Sequence, residues 1–214
     1  MHKISYHSIQ HRMDYVLHKI NTARQLNPAY RVIDIGGTAG TGWSAGVANT
    51  IIDINAEDTE TSMKIDICNP LDWERVKCMI DVFGLYDYAI CTHTLEDIYN
   101  PIVTLKMLPF IAKEGIITMP SLRTELSNVE SSFWLGYIHH RWMFDQVNGV
   151  MLIIPKIGML ESLAANKIQY KQDVEEIWFE WKWSPGYKLF MDNYLGPDSK
   201  TVVREYSKLI DGII

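Results

Sequence analysis

Residues 31–42, Arg-Val-Ile-Asp-Ile-Gly-Gly-Thr-Ala-Gly-Thr-Gly, run from an apolar stretch with an acid near its end into a glycine-rich turn. Ile51-Ile-Asp53 follows as a second short apolar stretch closed by an acid. Glycines after a strand let the backbone lie against a ligand, and an acid ending the next strand accepts hydrogen bonds from ribose hydroxyls. The combination constrains the chain to an α/β fold with a nucleotide-cofactor site at the carboxyl edge of its sheet.

The surrounding pattern agrees. Ile9, Met13, Val16, Leu17 and Ile20 recur at three- and four-residue spacing and predict an amphipathic helix over 8–26, ended by Asn27-Pro28. His7, His11 and His18, together with His2, are read as its polar face. Strands are expected over 31–35, 49–54, 62–67, 88–91 and 115–119, with helices over 72–83 and 101–112 between the later ones. Alternation of this kind gives a largely parallel sheet with helices on both faces. Residues 149–154 and the alternating Ile177-Trp-Phe-Glu-Trp-Lys-Trp183 read as a final antiparallel pair, followed by turns at Pro185-Gly186 and Gly196-Pro197 and a helix over 199–210. The fold class is therefore α/β, a three-layer doubly wound sheet, mostly parallel with an antiparallel C-terminal hairpin strand. A single domain over 1–214 is expected, with a substrate-cap region at about 121–148.

Composition removes several function classes. A net charge of −6 and the lack of a dense basic face argue against nucleic acid or an anionic membrane as partner. The longest apolar runs, such as 150–155, fall well short of the roughly 20 residues a spanning helix needs, and Met1-His-Lys-Ile-Ser-Tyr-His is unlike a secretory leader. A soluble, cytoplasmic protein is expected. Cys68, Cys78 and Cys91 lack CxxC spacing and read as reduced thiols.

In order as well as pattern, the motifs resemble those of class I S-adenosylmethionine-dependent methyltransferases, over roughly residues 32–119. Residues 32–42 resemble that family's first motif, Ile51-Ile-Asp-Ile-Asn55 its second acidic strand end, and Met63-Lys-Ile-Asp-Ile-Cys-Asn69 its third motif. Residues 86–101 resemble its fourth strand and following loop, and Gly115-Ile-Ile-Thr-Met-Pro-Ser121 its fifth strand. Two positions depart from the family pattern. Thr38 stands where its middle glycine is usual, and the loop commonly written HxLEH reads His93-Thr-Leu-Glu-Asp97.

The resemblance implies S-adenosyl-L-methionine as cofactor. Asp34, Gly36, Gly37 and Gly40 would shape the methionine end of its pocket. Asp53 would bind the ribose hydroxyls, Asp66 the adenine amino group, and the Ile67 backbone would face the ring. Cys91, Thr92 and His93 would border the amino acid portion and the acceptor. The residues themselves discriminate among cofactors as well. The strict G-x-G-x-x-G fingerprint of a nicotinamide enzyme is absent, as is a phosphate-gripping Gly-Lys-Ser/Thr, and Asp66 is an additional acid suited to an adenine amino group.

Residues 134–144 crowd His139, His140, Arg141, Tyr137 and Trp142 after the fifth strand, where chain crosses the carboxyl edge of a sheet. His139 and His140 are the leading candidates for a catalytic base, with His93 as a third. Tyr137, Arg141 and Trp142 are candidates for binding the acceptor, a small-molecule or glycan substrate; an aromatic segment packed on the sheet is the equal alternative. His93, Glu96, Asp97, His139 and His140 also carry metal-ligating groups. Adjacent histidines diverge on a helix or a strand, so no metal is assigned. Trp178, Trp181 and Trp183 suggest either a sugar platform or core and homodimer contacts. Beside methyl transfer, two readings stand: a degenerate methyltransferase-like scaffold that binds a partner through this strand, and a nicotinamide-dependent oxidoreductase.

Overall fold

Strand β2 (Val32–Ile35) is buried along its whole length, as a run of apolar residues must be when helices cover both faces of a parallel sheet. The computed structural model describes residues 3–8, 11–40, 42–131, 133–164, 175–191 and 198–212. His2, Ile9, Thr41 and Gly196-Pro197 lie outside them. Around β2, strands β3 (Thr50–Asp53), β4 (Ser62–Lys64), β5 (Tyr86–Thr92) and β6 (Ala112–Pro120) form a parallel set in the order β4-β3-β2-β5-β6. Strand β9 (Glu175–Lys182) runs antiparallel beside β6, and β1 (Lys3–Ser8) completes the seven-stranded sheet on the far side of β9. The fold is thus α/β, with a mostly parallel sheet flanked by helices and one reversed strand.

Helix α1 (Arg12–Leu26) covers one face. Its Val16 and Ile20 are fully buried against Val32, Tyr88, Ile90, Ile116 and Trp178, a pair of side chains worth about 3–6 kcal/mol of burial. Tyr15 and Lys19, on the same helix, hold Glu180 of β9 at 2.8 and 2.6 Å. The opposite face is covered by α2 (Trp73–Phe83), through Trp73 and Val76, and by α3 (Pro101–Ile111), through Leu105, Leu108 and Ile111.

A second, smaller sheet stands beside the first. Strands β7 (Trp142–Val147) and β8 (Val150–Pro155) form a hairpin across Asn148-Gly149, both left-handed at φ 52° and 75°, as a two-residue turn of matching twist requires. Strand β10 (Tyr187–Leu189) adds to β8 in parallel. Three short helical elements, α4 (Leu122–Glu125), α5 (Leu160–Ala164) and α6 (Ser199–Asp211), pack with this sheet around Leu126, Met143, Ile154, Tyr206 and Ile210.

Several expectations are corrected. The segments 149–154 and 177–183 do not pair, since β8 lies in the small sheet whereas β9 is inserted between β6 and β1. An inserted strand has no free edge for a partner, and Trp178 and Trp181 are buried, leaving only Trp183 exposed from that cluster. His7 belongs to β1, stacked on Trp178 at 4.0 Å, and His11 precedes α1; only His18 is an exposed residue of the helix. Residues 36–49 and 54–61 link parallel strands without a helix. Trp43 and Val47, from the first of these links, pack in the core beneath α1. Cys68 and Cys91 are buried and Cys78 exposed, all as free thiols. Among the described residues no helix is long and apolar enough to cross a membrane.

Candidate cofactor and acceptor site

Strand order reverses between β2 and β5: the chain leaves β2 toward β3 and β4, and later returns to place β5 and β6 on the other side. Carboxyl ends at such a switch point leave a crevice, because the loops diverge to opposite sides. Gly36, directly after β2, takes a left-handed φ of 78°, and a Cβ there would lie 2.4 Å from the Thr94 side chain, so glycine is needed on both counts. Gly37 sits on the carboxylate of Asp34, which a Cβ would meet at 2.1 Å.

Asp34 itself is buried beneath this turn and accepts a hydrogen bond from Ser44 Oγ. Burial pushes its carboxyl up to about 6; the bonds from Ser44 and the Ile35 backbone oppose that rise, and the charge of Asp53 adds to it. Asp34 therefore fastens the glycine turn from below and does not line the crevice.

Two clefts share Asp53 as a wall. The smaller, about 240 Å³, is lined by Gly36, Asp53, Asp66, Ile67, Thr94, Asp97, Tyr99 and Arg141 among others. The larger is an open groove of about 860 Å³ running past Thr38, Gly40, Ala45 and Thr59. The smaller contains Asp53, Asp66 and the Gly36 turn. Its volume is below the roughly 300 Å³ of ordinary whole-ligand pockets. Asp53 Oδ1 accepts from the Asn55 N–H at 2.7 Å. Asp66 Oδ1 accepts from Cys68 N–H at 2.9 Å, and the Asp66 N–H donates to Asp72 at 2.8 Å, which fixes the turn after β4. The Ile67 carbonyl is taken by Trp73 Nε1 at 3.1 Å and Thr104 Oγ1 at 3.0 Å.

The expected cofactor residues thus separate. Gly36, Asp53, Asp66 and Ile67 line the smaller cleft and Gly40 the larger groove. Asp34, Gly37, Cys91, Thr92 and His93 line neither, Cys91 being buried in the core. Thr94 and Tyr99, which sequence reasoning did not single out, line the smaller cleft, as does Asp97, which it weighed only as a metal-ligating group; the signal available for them was their place in the loop after β5.

His93, offered as a base, is held otherwise. It follows β5 at φ 50°, with Nε2 hydrogen-bonded to Glu176 and Nδ1 3.2 Å from Glu96. Burial alone would lower its pKa, but the two carboxylates more than reverse this and raise it to about 9. A shift in that direction favours the protonated imidazole between the two carboxylates and works against proton acceptance by His93. Glu176, fully buried, also holds the Arg12 guanidinium and accepts from Trp178 Nε1 at 2.8 Å, which ties β9, α1 and the loop after β5 together.

His139 and His140 lie at the rim of the smaller cleft, carried there by main-chain bonds from Arg141 and Trp142 N–H to the Glu96 carbonyl at 2.7 and 3.2 Å. They occupy neither helix nor strand, and the divergence expected of adjacent side chains does not apply: both Nε2 atoms are 3.6 Å from Asp97 Oδ1. His140 is buried, with Nδ1 2.6 Å from Glu125 and the Tyr137 ring tilted against it at 4.6 Å; His139 is exposed. Arg141 lines the cleft, while Trp142 is half-buried and donates to the Ile98 carbonyl at 2.9 Å, a structural tie.

No protein-family model and no curated protein matches the chain. Among solved structures, the N-terminal domain of EvdMO1 with SAH bound is similar at 10% identity and a TM-score of 0.34, over 77% of this chain and 79% of that one. The same domain in the presence of SAH and D-fucose gives the same identity and TM-score over 77% and 81%. Similarity at this level carries no functional argument, which rests on the site alone.

Proposed function

We propose that the protein is an S-adenosylmethionine-dependent methyltransferase acting on a hydroxyl-bearing small molecule or sugar-containing acceptor. The observation that carries this reading is the convergence of Gly36, Asp53 and Asp66 on one cleft at the switch point of the sheet. In this reading Asp53 takes the ribose hydroxyls, Asp66 and the Ile67 N–H take the adenine, and the sulfonium methyl faces the loop from Thr94 to Asp97. A methyl on sulfonium is already activated, so the protein's work is in-line placement of the acceptor and exclusion of water. The acceptor oxygen must also shed a proton. The group formed by Asp97, His139 and His140 stands at the rim of the same cleft and is where we place that activation, with Tyr137 and Arg141 beside it for contact with the acceptor. The cap is then built from residues 121–148.

Isothermal titration with S-adenosylhomocysteine tests this. Saturable micromolar binding, near −8 kcal/mol, is expected. Asp53→Ala removes hydrogen bonds to a charged acceptor and weakens that binding by about 1.5–3 kcal/mol, roughly 10- to 150-fold. Heat-free titrations, or stabilisation by a nicotinamide dinucleotide in place of S-adenosylhomocysteine, would refute the reading.

A further inference from the structure

Asp97, His139 and His140 present ligand atoms that all lie within 4.8 Å of one another. Bonds of about 2.0–2.2 Å to a tetrahedral divalent ion set neighbouring ligand atoms about 3.3–3.6 Å apart. The two Nε2-to-Oδ1 separations of 3.6 Å are already at that spacing. What remains is for the His139 and His140 nitrogens to draw together, which the exposed His139 is free to do.

The groups behind the two rings point the same way. A metal-bound imidazole usually donates its other N–H to a carboxylate, which fixes the tautomer and raises the basicity of the ligating nitrogen. His140 turns Nδ1 to Glu125 at 2.6 Å, and Glu125 is itself buried and held by Lys156 Nζ at 2.8 Å. Lys156 is in turn fixed by the Tyr137 carbonyl at 2.7 Å. His139 turns Nδ1 toward Glu130 at 4.0 Å. His140 therefore has a hydrogen-bonded glutamate on one nitrogen and Asp97 facing the other, whereas Glu130 is near His139 without bonding it. Gly136, at φ 58°, lets the chain pass against Glu125, where a Cβ would meet the carboxylate at 2.5 Å.

From this geometry we propose that Asp97, His139 and His140 bind a divalent transition-metal cation, with Glu125 as the positioning residue of His140. Two histidines and one carboxylate leave coordination positions open, and Asp97 lines the cleft assigned to the cofactor. The ion's use rests on the methyl-transfer reading above. An acceptor hydroxyl on the ion gives its proton to water, its oxygen forms a bond to the methyl carbon, and the carbon–sulfur bond breaks with its electron pair going to sulfur. The products are the methyl ether and S-adenosylhomocysteine.

Protein stripped with a chelator and then dialysed free of it is titrated with Co²⁺, read by its visible d–d absorption and by calorimetry. One equivalent is expected to bind. Asp97→Asn and His139→Gln, both at exposed positions, should each lower the affinity at least tenfold, and Glu125→Gln should lower it by about 10- to 100-fold. His18→Gln, on the exposed face of α1, should leave it unchanged. Absence of saturable binding, or wild-type affinity in Asp97→Asn and His139→Gln, overturns the site. The S-adenosylhomocysteine titration separates the two readings: Co²⁺ binding without it keeps the cation site and overturns its role in methyl transfer, whereas cofactor binding without Co²⁺ overturns the site alone.

Discussion

The clamp on His93 gives stability a defined pH dependence. The imidazole lies between Glu176 and Glu96 with its side chain 25% exposed, and its pKa rises from 6.5 to about 9, the two carboxylates outweighing the loss of solvent. Between those values the folded protein carries one more proton than the unfolded chain. Stability then falls by about 1.4 kcal/mol per pH unit across the window, in total about 3.5 kcal/mol at most. The contribution is complete below pH 6.5 and lost as pH rises through about 9. His93→Gln retains a donor for Glu176 but cannot titrate. Urea unfolding of both proteins, at steps from about pH 6 to about pH 9.5, should show the decline in the wild type and its near-absence in the variant. Cys91, pushed up by burial, adds an alkaline decline to both and cancels in the difference. Parallel curves for the two proteins would refute the assignment of a protonated His93.

Asp34 makes the opposite end of the pH range informative. Its carboxyl rises from 3.8 to about 6, so it contributes stability that is lost as pH climbs through that interval; Asp34→Asn should remove this decline in acid-range denaturation curves. Gly36→Ala imposes a left-handed φ on a side chain that also meets Thr94, and should cost about 1–3 kcal/mol by chemical denaturation, with cofactor affinity falling alongside. Adding Thr94→Ala should recover part of the loss, by relieving the contact but not the backbone strain.

Most of the parallel half of the sheet was legible because β2, β3, β5 and β6 carry short apolar runs, β2 followed by Gly36 and β6 preceded by the helix that Pro101 opens. Helix α2 was equally plain from Trp73 and Val76, which are buried, although Phe83 at the end of the same stripe is exposed. Strand β1 was hidden because Lys3-Ile-Ser-Tyr-His-Ser8 has few apolar residues and its pairing partner lies about 170 residues away. The placement of β9 between β6 and β1, and its separation from β8, is a pairing choice that periodicity does not encode. At the site, Asp53 was readable because it closes the apolar strand β3, and Asp66 because it stands between Ile65 and Ile67. The convergence of Asp97 with His139 and His140 was not, since it depends on an irregular segment whose course is set by hydrogen bonds to the Glu96 carbonyl.

The position of β9 also has a bearing on how the chain is made. Ribosomal synthesis at about 5–20 residues per second leaves β1 waiting roughly 8–35 seconds before residues 175–182 emerge to join it. Over the last roughly 3–11 seconds of it, once residues 112–120 have emerged, β6 has a vacant edge and Arg12 lacks the carboxylate of Glu176. Residues 175–182 thus act as a keystone, delivering in one segment both the hydrogen bonds that close the sheet and the carboxylate that Arg12 and His93 share.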